Sequence, residues 1–268
     1  MKRILLSACG LALAGITMAQ VKEGTVVYER KMNIHRRIKD EQMKAMIPEF
    51  RTDKQQLLFN DSTSVYKAVP DDTAPDPFAG GGRGGGGFGG PGGGGGGFGG
   101  PGGGGGQRMG PPPGMGSQNR ILFINYNNQL ITEQTELGEK TYLIKDTLHQ
   151  QPWKLTDETK QILNYTCKKA TMTNANGQNL VAWYTEAITL PAGPESFNGL
   201  PGLVLQLDIN DGELLYTAQE ISKEADKKAL KAPSKGKAIT RAEYKEKIDE
   251  MFKNRGQGGG GRTILIAP

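Results

Sequence analysis

The chain has 268 residues, of which 36% are hydrophobic and 23% are charged, and its formal net charge is +5. This charge is mild and is not gathered into a basic stripe with interleaved aromatic residues, which argues against nucleic acid as a partner. Two cysteines are too few for a disulfide framework, so the fold has to be held by its core.

The first segment, MKRILLSACGLALAGITMAQ, has the composition of a secretory signal peptide. Lys2 and Arg3 form its basic region, an apolar stretch follows to about Ile16, and a small-residue site ends at Ala19. The apolar stretch covers about 13 residues, whereas a transmembrane helix needs about 20. We therefore expect residues 1–19 to be removed on export, and we expect no integral membrane span.

A lipoprotein processing site is the alternative within this segment, because Leu6-Ser7-Ala8-Cys9 has the residue types of such a site. Too few residues precede Cys9 to form an apolar region that crosses a membrane, so we expect no lipid anchor there. Removal of the signal peptide subtracts two positive charges from the +5 of the full chain. It also leaves Cys167 as the single cysteine.

Period-two alternation of apolar and polar residues predicts strands on both sides of a glycine-rich stretch. In residues 25–34, four apolar side chains fall on one face: Val26, Tyr28, Met32 and Ile34. The next predicted strands are 54–59, 62–69, 121–126, 129–136 and 140–145, with turns at Asn60-Asp61, Asn127-Asn128 and Gly138. A short helix, ended by Pro48, is predicted over residues 40–47. Its apolar side chains lie on one side: Met43, Met46 and Ile47.

Residues 79–117 are almost pure glycine and hold 25 of the 40 glycines in the chain. Such a composition cannot bury enough side chain to offset its backbone entropy, so we predict a disordered insert. We expect no dinucleotide site there, because such a site needs a strand leading directly into the glycines and a helix starting directly after them, and this arrangement is missing. Closing a loop of this length instead of a short one costs roughly 2 kcal/mol, so a single domain over residues 20–255 can carry the insert.

The strongest turn signals lie in the C-terminal half. Asn176-Gly177 links residues 160–173 to 178–189, and these residue types accept the positive backbone angles of a tight hairpin. Asp211-Gly212 links 203–209 to 214–221 in the same way. About ten strands in a meander predict a mainly β fold, an antiparallel curved sheet or open half-barrel.

A second helix is predicted to begin at Thr240, which forms a capping box with Glu243. Its apolar residues recur at helical spacing and are expected to pack on the sheet rather than to bind a partner: Tyr244, Ile248, Met251 and Phe252. Residues 256–268 form a glycine tether and a short β-prone tail. We expect residues 262–268 to dock on a sheet edge, either of this domain or of another protein.

Residues able to carry catalysis or bind metal are sparse. His35 and His149 lack a second histidine or a carboxylate at ligand spacing, and His35 lies among basic residues. Gly236-Lys237 lacks the rest of a phosphate-binding loop, and Ser196 is not in a nucleophile elbow. We therefore expect no metal, no cofactor and no enzymatic activity.

Cys167 alternates onto one strand face with Leu163 and Tyr165. A buried thiol behaves as a small hydrophobic group, whereas a nucleophilic thiol needs a base and a lowered pKa. No histidine lies near Cys167 in the sequence, so we expect it to pack in the core. A reactive or intermolecular thiol is the alternative.

Residues 199–204 read GLPGLV, followed by a strand. Pro201 and Gly202 are the pair that a type II turn needs at its two central positions, so we predict that turn here. The large aliphatic residues that follow are expected to share one strand face: Leu203, Leu205, Leu207 and Ile209. We therefore expect this turn to set the register of a core strand rather than to bind a ligand.

This hexapeptide, from Gly199 through Leu200 to Val204, resembles the signature of the GLPGLI family of exported proteins, with Val204 in place of the final Ile. The resemblance covers most of residues 21–253 outside the insert. It includes Trp153, the LTDETKQI run, Tyr165 to Ala170, and Ala182-Trp183-Tyr184. The residues expected in the core of this half are Trp153, Tyr165, Cys167, Trp183, Tyr184, Leu205, Leu207 and Ile209.

The resemblance implies an exported protein of the Bacteroidota type, in the periplasm or associated with the outer membrane, with no established activity and no catalytic residues. Three classes of function follow. The first is a noncatalytic envelope protein whose curved sheet holds an apolar ligand or peptide. The second is an interaction protein that engages an outer-membrane partner through its tail and insert. The third is an enzyme of unknown reaction.

Overall fold

The structure, a computed structural model, describes residues 21–69 and 119–257. The predicted signal peptide with Cys9, the glycine-rich insert and the tail at residues 262–268 lie outside these ranges. Of the helices in the described ranges, none has the length and apolar character needed to cross a membrane.

The fold is mainly β, as predicted, with twelve strands in one open sheet. The first six strands are β1 (Gly24–Asn33), β2 (Phe50–Phe59), β3 (Thr63–Ala68), β4 (Ile121–Asn125), β5 (Leu130–Leu137) and β6 (Lys140–Thr147). The others are β7 (Lys154–Ile162), β8 (Tyr165–Thr173), β9 (Asn179–Thr185), β10 (Leu203–Ile209), β11 (Leu214–Ser222) and β12 (Lys237–Ile239). Helical segments are a 3-10 turn (His35–Arg37), α1 (Glu41–Met46) and α2 (Arg241–Gln257).

The first strand lies in the interior of the sheet. The strand order is β12-β6-β5-β4-β3-β2-β1-β11-β10-β9-β8-β7. Two antiparallel meanders, β1 to β6 and β7 to β11, therefore meet where β1 pairs with β11. Strands β3 and β4, which flank residues 70–118, are hydrogen-bonded neighbours, so both sides of the glycine-rich stretch belong to one sheet.

A short connection requires the sheet to curve. Residues 148–153 join β6, next to one edge of the sheet, to β7 at the opposite edge. In a flat sheet these strands would be ten strand spacings, or about 48 Å, apart. Seven Cα steps span at most about 25 Å. The two edges must therefore approach one another, which gives the open half-barrel an inner face.

Two parts of the strand prediction were wrong. Residues 160–173 are not one strand, because β7 ends at Ile162 and Leu163, with φ of 52°, turns the chain into β8. The parallel strand β12, which pairs with β6, was not predicted. Its three residues are too few to show a period of two, and an antiparallel meander leaves no place for it.

The predicted turns and helices are present. Gly177 and Gly212 adopt φ of 75° and 83° in their hairpins. Asp40 caps α1 by accepting hydrogen bonds from the amides of Gln42 and Met43. At the start of α2 the capping box forms, with the Glu243 amide donating to Thr240 Oγ1 at 3.1 Å and the Thr240 amide donating to Glu243 Oε2 at 2.8 Å. The α2 helix lies against β6, where the rings of Tyr244 and Tyr142 meet edge to face at 5.7 Å.

The core lies on the inner face of the curved sheet. Across β1 to β4, side chains paired in register share this face and are buried: Val26, Leu57, Tyr66 and Leu122. The segment between β9 and β10, residues 186–202, contributes Ile188, Leu190, Ala192 and Leu200 to the same core. We call it the cover segment, because it lies over the inner face and carries most of the signature motif.

Candidate functional site

The signature residues 199–204 end the cover segment and begin β10. The Gly202 amide donates to the Leu200 carbonyl at 2.8 Å, which closes a three-residue turn centred on Pro201. The Leu203 amide donates to the Ile188 carbonyl at 3.1 Å. A type II turn needs φ of about +80° at its third residue, whereas Gly202 has φ of 158°, so the predicted turn type was wrong. The reason is that the start of the cover segment supplies a competing acceptor.

The two glycines of the motif allow close approach of backbone to backbone. A Cβ atom at Gly202 would lie 2.1 Å from the Thr185 carbonyl oxygen. Gly199 has φ of 91°, and a Cβ there would lie 3.3 Å from the Gln151 amide nitrogen. The motif thus brings the cover segment against β9 on one side and against the connection 148–153 on the other.

Asn198, immediately before the motif, fixes the connection to the cover segment. It is buried, and its Nδ2 donates to the carbonyls of His149 at 3.2 Å and Ser196 at 2.9 Å. Its own carbonyl accepts from Trp153 Nε1 at 2.8 Å. The GLPGLV hexapeptide, with Asn198 before it, is therefore the place where the strand connection that curves the sheet is attached to the segment that covers it.

The predicted alternation along β10 was wrong because of a bulge. Val204 pairs with Tyr184 and Gln206 pairs with Trp183, so Leu205 is an extra residue. Val204, Leu207 and Ile209 share a face, because their partners alternate on β9: Tyr184, Ala182 and Leu180. Leu203 lies on the opposite face. The bulge lets both faces of this strand carry large apolar side chains.

The structure places the expected core residues in two groups. Five are buried: Cys167, Tyr184, Leu205, Leu207 and Ile209. Three are partly buried and pack against the core: Trp153, Tyr165 and Trp183. Within the motif Leu200, Gly202, Leu203 and Val204 are buried, whereas Gly199 and Pro201 are exposed.

The Cys167 thiol is fully buried. Burial raises its pKa to about 11, although Lys160, its partner across β7 and β8, acts in the opposite direction. Its Sγ donates to the Tyr165 carbonyl at 3.7 Å. Because a thiolate rather than a thiol reacts, these contacts describe a packing cysteine.

The two histidines make contacts of different kinds. His35 Nε2 lies 3.0 Å from the Ile47 carbonyl, whereas His149 accepts from Asn198 Nδ2 through its backbone carbonyl. Within residues 21–69 and 119–257, no three His, Cys, Asp or Glu side chains come together in a way that could hold a metal ion.

Sequence reasoning missed a buried ion cluster. Arg120 Nε lies 2.7 Å from Glu133 Oε1, and Arg120 Nη1 also pairs with Glu195, which is on the cover segment. Arg241 from α2 reaches Glu133 Oε2 at 2.7 Å. Tyr216 donates its hydroxyl hydrogen to Glu195 Oε1 at 3.2 Å. Glu195 has φ of 56°, so the backbone bends sharply where it directs this carboxylate inward.

Within this ion cluster the pKa values of Glu133 and Arg120 are shifted toward their charged forms. Burial by itself would raise the pKa of Glu133, but the charges and hydrogen bonds of Arg120 and Arg241 lower it below its usual value. Burial would lower the pKa of Arg120, and Glu195 and Glu133 raise it instead. The pKa of Tyr216 is raised by burial and then by Glu195, so this hydroxyl stays protonated.

A second polar group lies beside the cluster on the inner face. Arg30 Nε lies 2.8 Å from Asp53 Oδ1, and Gln55 also donates to Asp53. The Tyr66 hydroxyl is buried and, among described residues, has no hydrogen-bond partner. Burial, and after it the charge of Glu195, raises the pKa of Tyr66 well above its usual value. Paired carboxylates and protonated phenols of this kind are poorly suited to accept a proton.

The best-formed cavities found in the described chain are small or open. One of about 70 Å³ lies beside the signature and is lined by Asn198, Gly199, Tyr126 and Leu148 among others. A shallow groove of about 430 Å³ runs between α2 and the β5–β6 hairpin, lined by Met251, Lys247, Leu137 and Tyr142 among others.

Three of the six large apolar side chains that are exposed in the described residues lie in the connection between β1 and β2 or at the start of β2. We call residues 31–51 the lip; it comprises the connection between β1 and β2 with the strand ends that flank it. Helix α1 of the lip has no buried residue. Met43 is 45% exposed, Met46 is 84% exposed and Phe50 is 39% exposed. Lys31 Nζ lies 4.1 Å from the centre of the Phe50 ring.

Part of this chain is similar to the N-terminal domain of an N-glycanase. The sequence model that matches, over residues 118–246, is that of the N-glycanase peptide, N-terminal domain. Two crystal structures of PNGF-II, in space groups C2 and P21, superpose with a TM-score of 0.53 at 16% sequence identity. Each match covers 85% of this chain, but 33% of PNGF-II in one case and 34% in the other.

This chain therefore spans about one third of the length of PNGF-II, and at such low identity the likeness concerns the fold. An uncharacterized conserved protein from Thermus thermophilus gives a TM-score of 0.40 at 6% identity, covering 82% of this chain and 91% of that one. No curated protein matches the sequence. These findings neither support nor oppose the resemblance to the GLPGLI family.

Proposed function

We propose that the chain is an exported, noncatalytic interaction domain of the cell envelope that docks through the lip. The observation that carries this proposal is the exposure of the two methionines of helix α1. They are exposed although the helix is capped and hydrogen-bonded at its base. Apolar side chains held away from the core by ordered backbone are typical of a binding surface. The predicted signal peptide and the GLPGLI resemblance support a place in the periplasm or at the outer membrane.

The noncatalytic part of the proposal is supported by the state of the inner face. Its carboxylates are paired with arginines, the pKa of Glu133 is lowered by Arg120 and Arg241 against the effect of burial, and its tyrosines have raised pKa values. The related family model is described as an N-terminal domain, and two thirds of PNGF-II lies outside the match. We therefore carry no N-glycanase activity over to this chain.

The second candidate function is storage of an apolar ligand on the curved sheet. The inner face has little free volume for such a ligand. The cover segment fills that face with Ile188, Leu190, Ala192 and Leu200. The cavity beside the signature, at about 70 Å³, holds no more than a few water molecules. A ligand of this kind would have to displace the cover segment and break the Arg120–Glu195 ion pair.

Site-specific photo-crosslinking in expressing cells tests the proposal. A photoreactive amino acid would replace Met46 in one variant and Leu155 in a control. Leu155 is also an exposed apolar residue, at 53%, but lies on the edge strand β7. We expect adducts with an envelope component from position 46 and none above background from position 155. Equal yields at the two positions, or adducts with cytoplasmic components only, would refute the proposal.

A further inference from the structure

The apolar side chains of the lip are held outward by a rigid base. The Ile34 amide donates to the Glu49 carbonyl at 2.7 Å, and His35 Nε2 lies 3.0 Å from the Ile47 carbonyl. Arg37 pairs with Glu213 on the β10–β11 turn at 3.1 Å. The exposed position of Met46 is therefore part of an ordered structure, and its burial against a partner would require little reorganisation.

The charges around these apolar side chains favour an anionic partner. Six Lys or Arg and three Asp or Glu fall within residues 31–51. The three acids are occupied within the lip: Asp40 caps α1, Glu41 pairs with Lys44, and Glu49 accepts from Asn33 Nδ2 at 2.9 Å. Lys31 lies over the ring of Phe50, which places an ammonium group directly beside an exposed apolar surface.

Three kinds of binding partner are considered for the lip: a second copy of this chain, another protein, and the surface of a lipid bilayer. A second copy of the lip would bring cations against cations. A protein partner needs about 800 Å² on each side for a stable interface, much more than three side chains on a short protruding segment provide. The boundary between lipid headgroups and acyl chains needs only a few apolar side chains, assisted by cations that contact anionic headgroups.

We propose that the lip binds the surface of an anionic lipid bilayer, with Met43, Met46 and Phe50 inserted at the headgroup level and Lys31 and Lys39 against the headgroups. This inference rests on the proposed function, because it names the partner of the same docking surface. Two neighbouring carboxylates oppose it, since Glu213 pairs with Arg37 and Asp211 is exposed on the same turn. Removal of the Asp211 charge therefore tests the electrostatic part of the inference.

Vesicle co-sedimentation of the protein, as the expressing cell processes it, tests the inference. The probes are vesicles of phosphatidylcholine alone and of equal parts phosphatidylcholine and phosphatidylglycerol. We expect binding to the anionic vesicles, weakening as salt is added. Met46→Asp combined with Phe50→Asp should weaken this binding on the order of tenfold. Leu155→Asp, an equivalent change on β7, should leave it unchanged, and Asp211→Asn should strengthen it.

Circular dichroism of each variant establishes that it is folded as the wild type is. Failure to bind the anionic vesicles, or equal effects of the lip and β7 variants, would overturn the inference. If position 46 crosslinks to an envelope protein in cells while the vesicles are not bound, the membrane inference fails and the proposed interaction function stands. If neither is seen, both fail.

Discussion

Removal of the Arg120 guanidinium is the sharpest test of the buried ion cluster. Arg120 connects β4 to the cover segment, because it pairs with Glu133 on β5 and with Glu195 beyond β9. Arg120→Met keeps an apolar stem of similar length and removes the charge. Glu195 then loses its cation, and Glu133 retains only Arg241.

The expected loss of stability follows from burial. Breaking a buried ion pair by removing one partner costs about 3–5 kcal/mol. Glu133 is 5% exposed but Arg120 is 27% exposed, and Arg241 remains, so we expect the lower end of that range. For a chain of this size each kcal/mol lowers Tm by about 2–4 °C, which gives a decrease of about 6–12 °C for a loss of about 3 kcal/mol.

The effect should depend on pH in a defined direction. Arg120 and Arg241 together depress the pKa of Glu133 in the folded state despite its burial. A depressed pKa contributes stability above the unfolded pKa, which is about 4.3 for Glu, and this contribution is lost as pH falls through the folded value. The difference between wild type and Arg120→Met should therefore be largest near neutral pH and shrink below about pH 4.

Thermal and urea unfolding followed by circular dichroism at a series of pH values would measure this. Lys168→Met is the matched control, because it breaks the Lys168–Glu186 pair, in which the side chains are 46% and 48% exposed. A pair of that kind contributes at most about 1 kcal/mol. If Arg120→Met destabilises no more than Lys168→Met, or if its effect is the same at pH 3 and pH 7, the cluster does not hold the cover segment in place.

Three further changes test other contacts. Gly202→Ala places a Cβ 2.1 Å from the Thr185 carbonyl oxygen and should abolish soluble folding. Gly177→Ala meets nothing within 4 Å and should still fold, with a loss of roughly 1–2 kcal/mol because of its positive φ; similar yields of the two would contradict the account of the signature. Asn198→Ala leaves two carbonyls without a donor and should cost about 1–3 kcal/mol in urea unfolding, against about 0.5 kcal/mol or less for the exposed Asn179→Ala. Burial raises the pKa of Cys167 to about 11, so this thiol should resist iodoacetamide at pH 8 in the native protein and react fully once the protein is unfolded. Rapid modification of the native protein, detected by mass spectrometry, would instead support a reactive thiol.

The parts of the fold that the sequence predicted are those with a local physical cause. The hairpin turns at Gly177 and Gly212 require positive φ, and the residue types that accept it are visible in the sequence. The capping box at Thr240 is likewise a contact between residues three apart. The break at Leu163 gave no such signal, because a leucine with φ of 52° is held there by the surrounding sheet rather than by its own preference.

The buried ion cluster was predicted poorly because it is made by residues that are distant in sequence. Arg120, Glu133, Glu195 and Arg241 each look like ordinary surface charges until the sheet curves and brings them together. The bulge at Leu205 was hidden for a related reason, since a register shift is defined by the partner strand. The strand after the GLPGLV hexapeptide was predicted, but the Ile188 carbonyl that accepts from the Leu203 amide could not be read from the hexapeptide.

The pairing of β1 with β11 has a consequence for how the chain folds. Thr25 lies opposite Ser222, so the interior of the sheet joins two strands that are far apart in the sequence. Contacts between residues so far apart in sequence form slowly, because a large loop must close before they contribute any stability. Until β11 is available, β1 has one unpaired side, and a translocating or nascent chain would expose that edge to other strands. Assembly of the sheet is therefore a late event that follows synthesis, and a chain truncated before residue 203 should not hold the N-terminal meander in its native form.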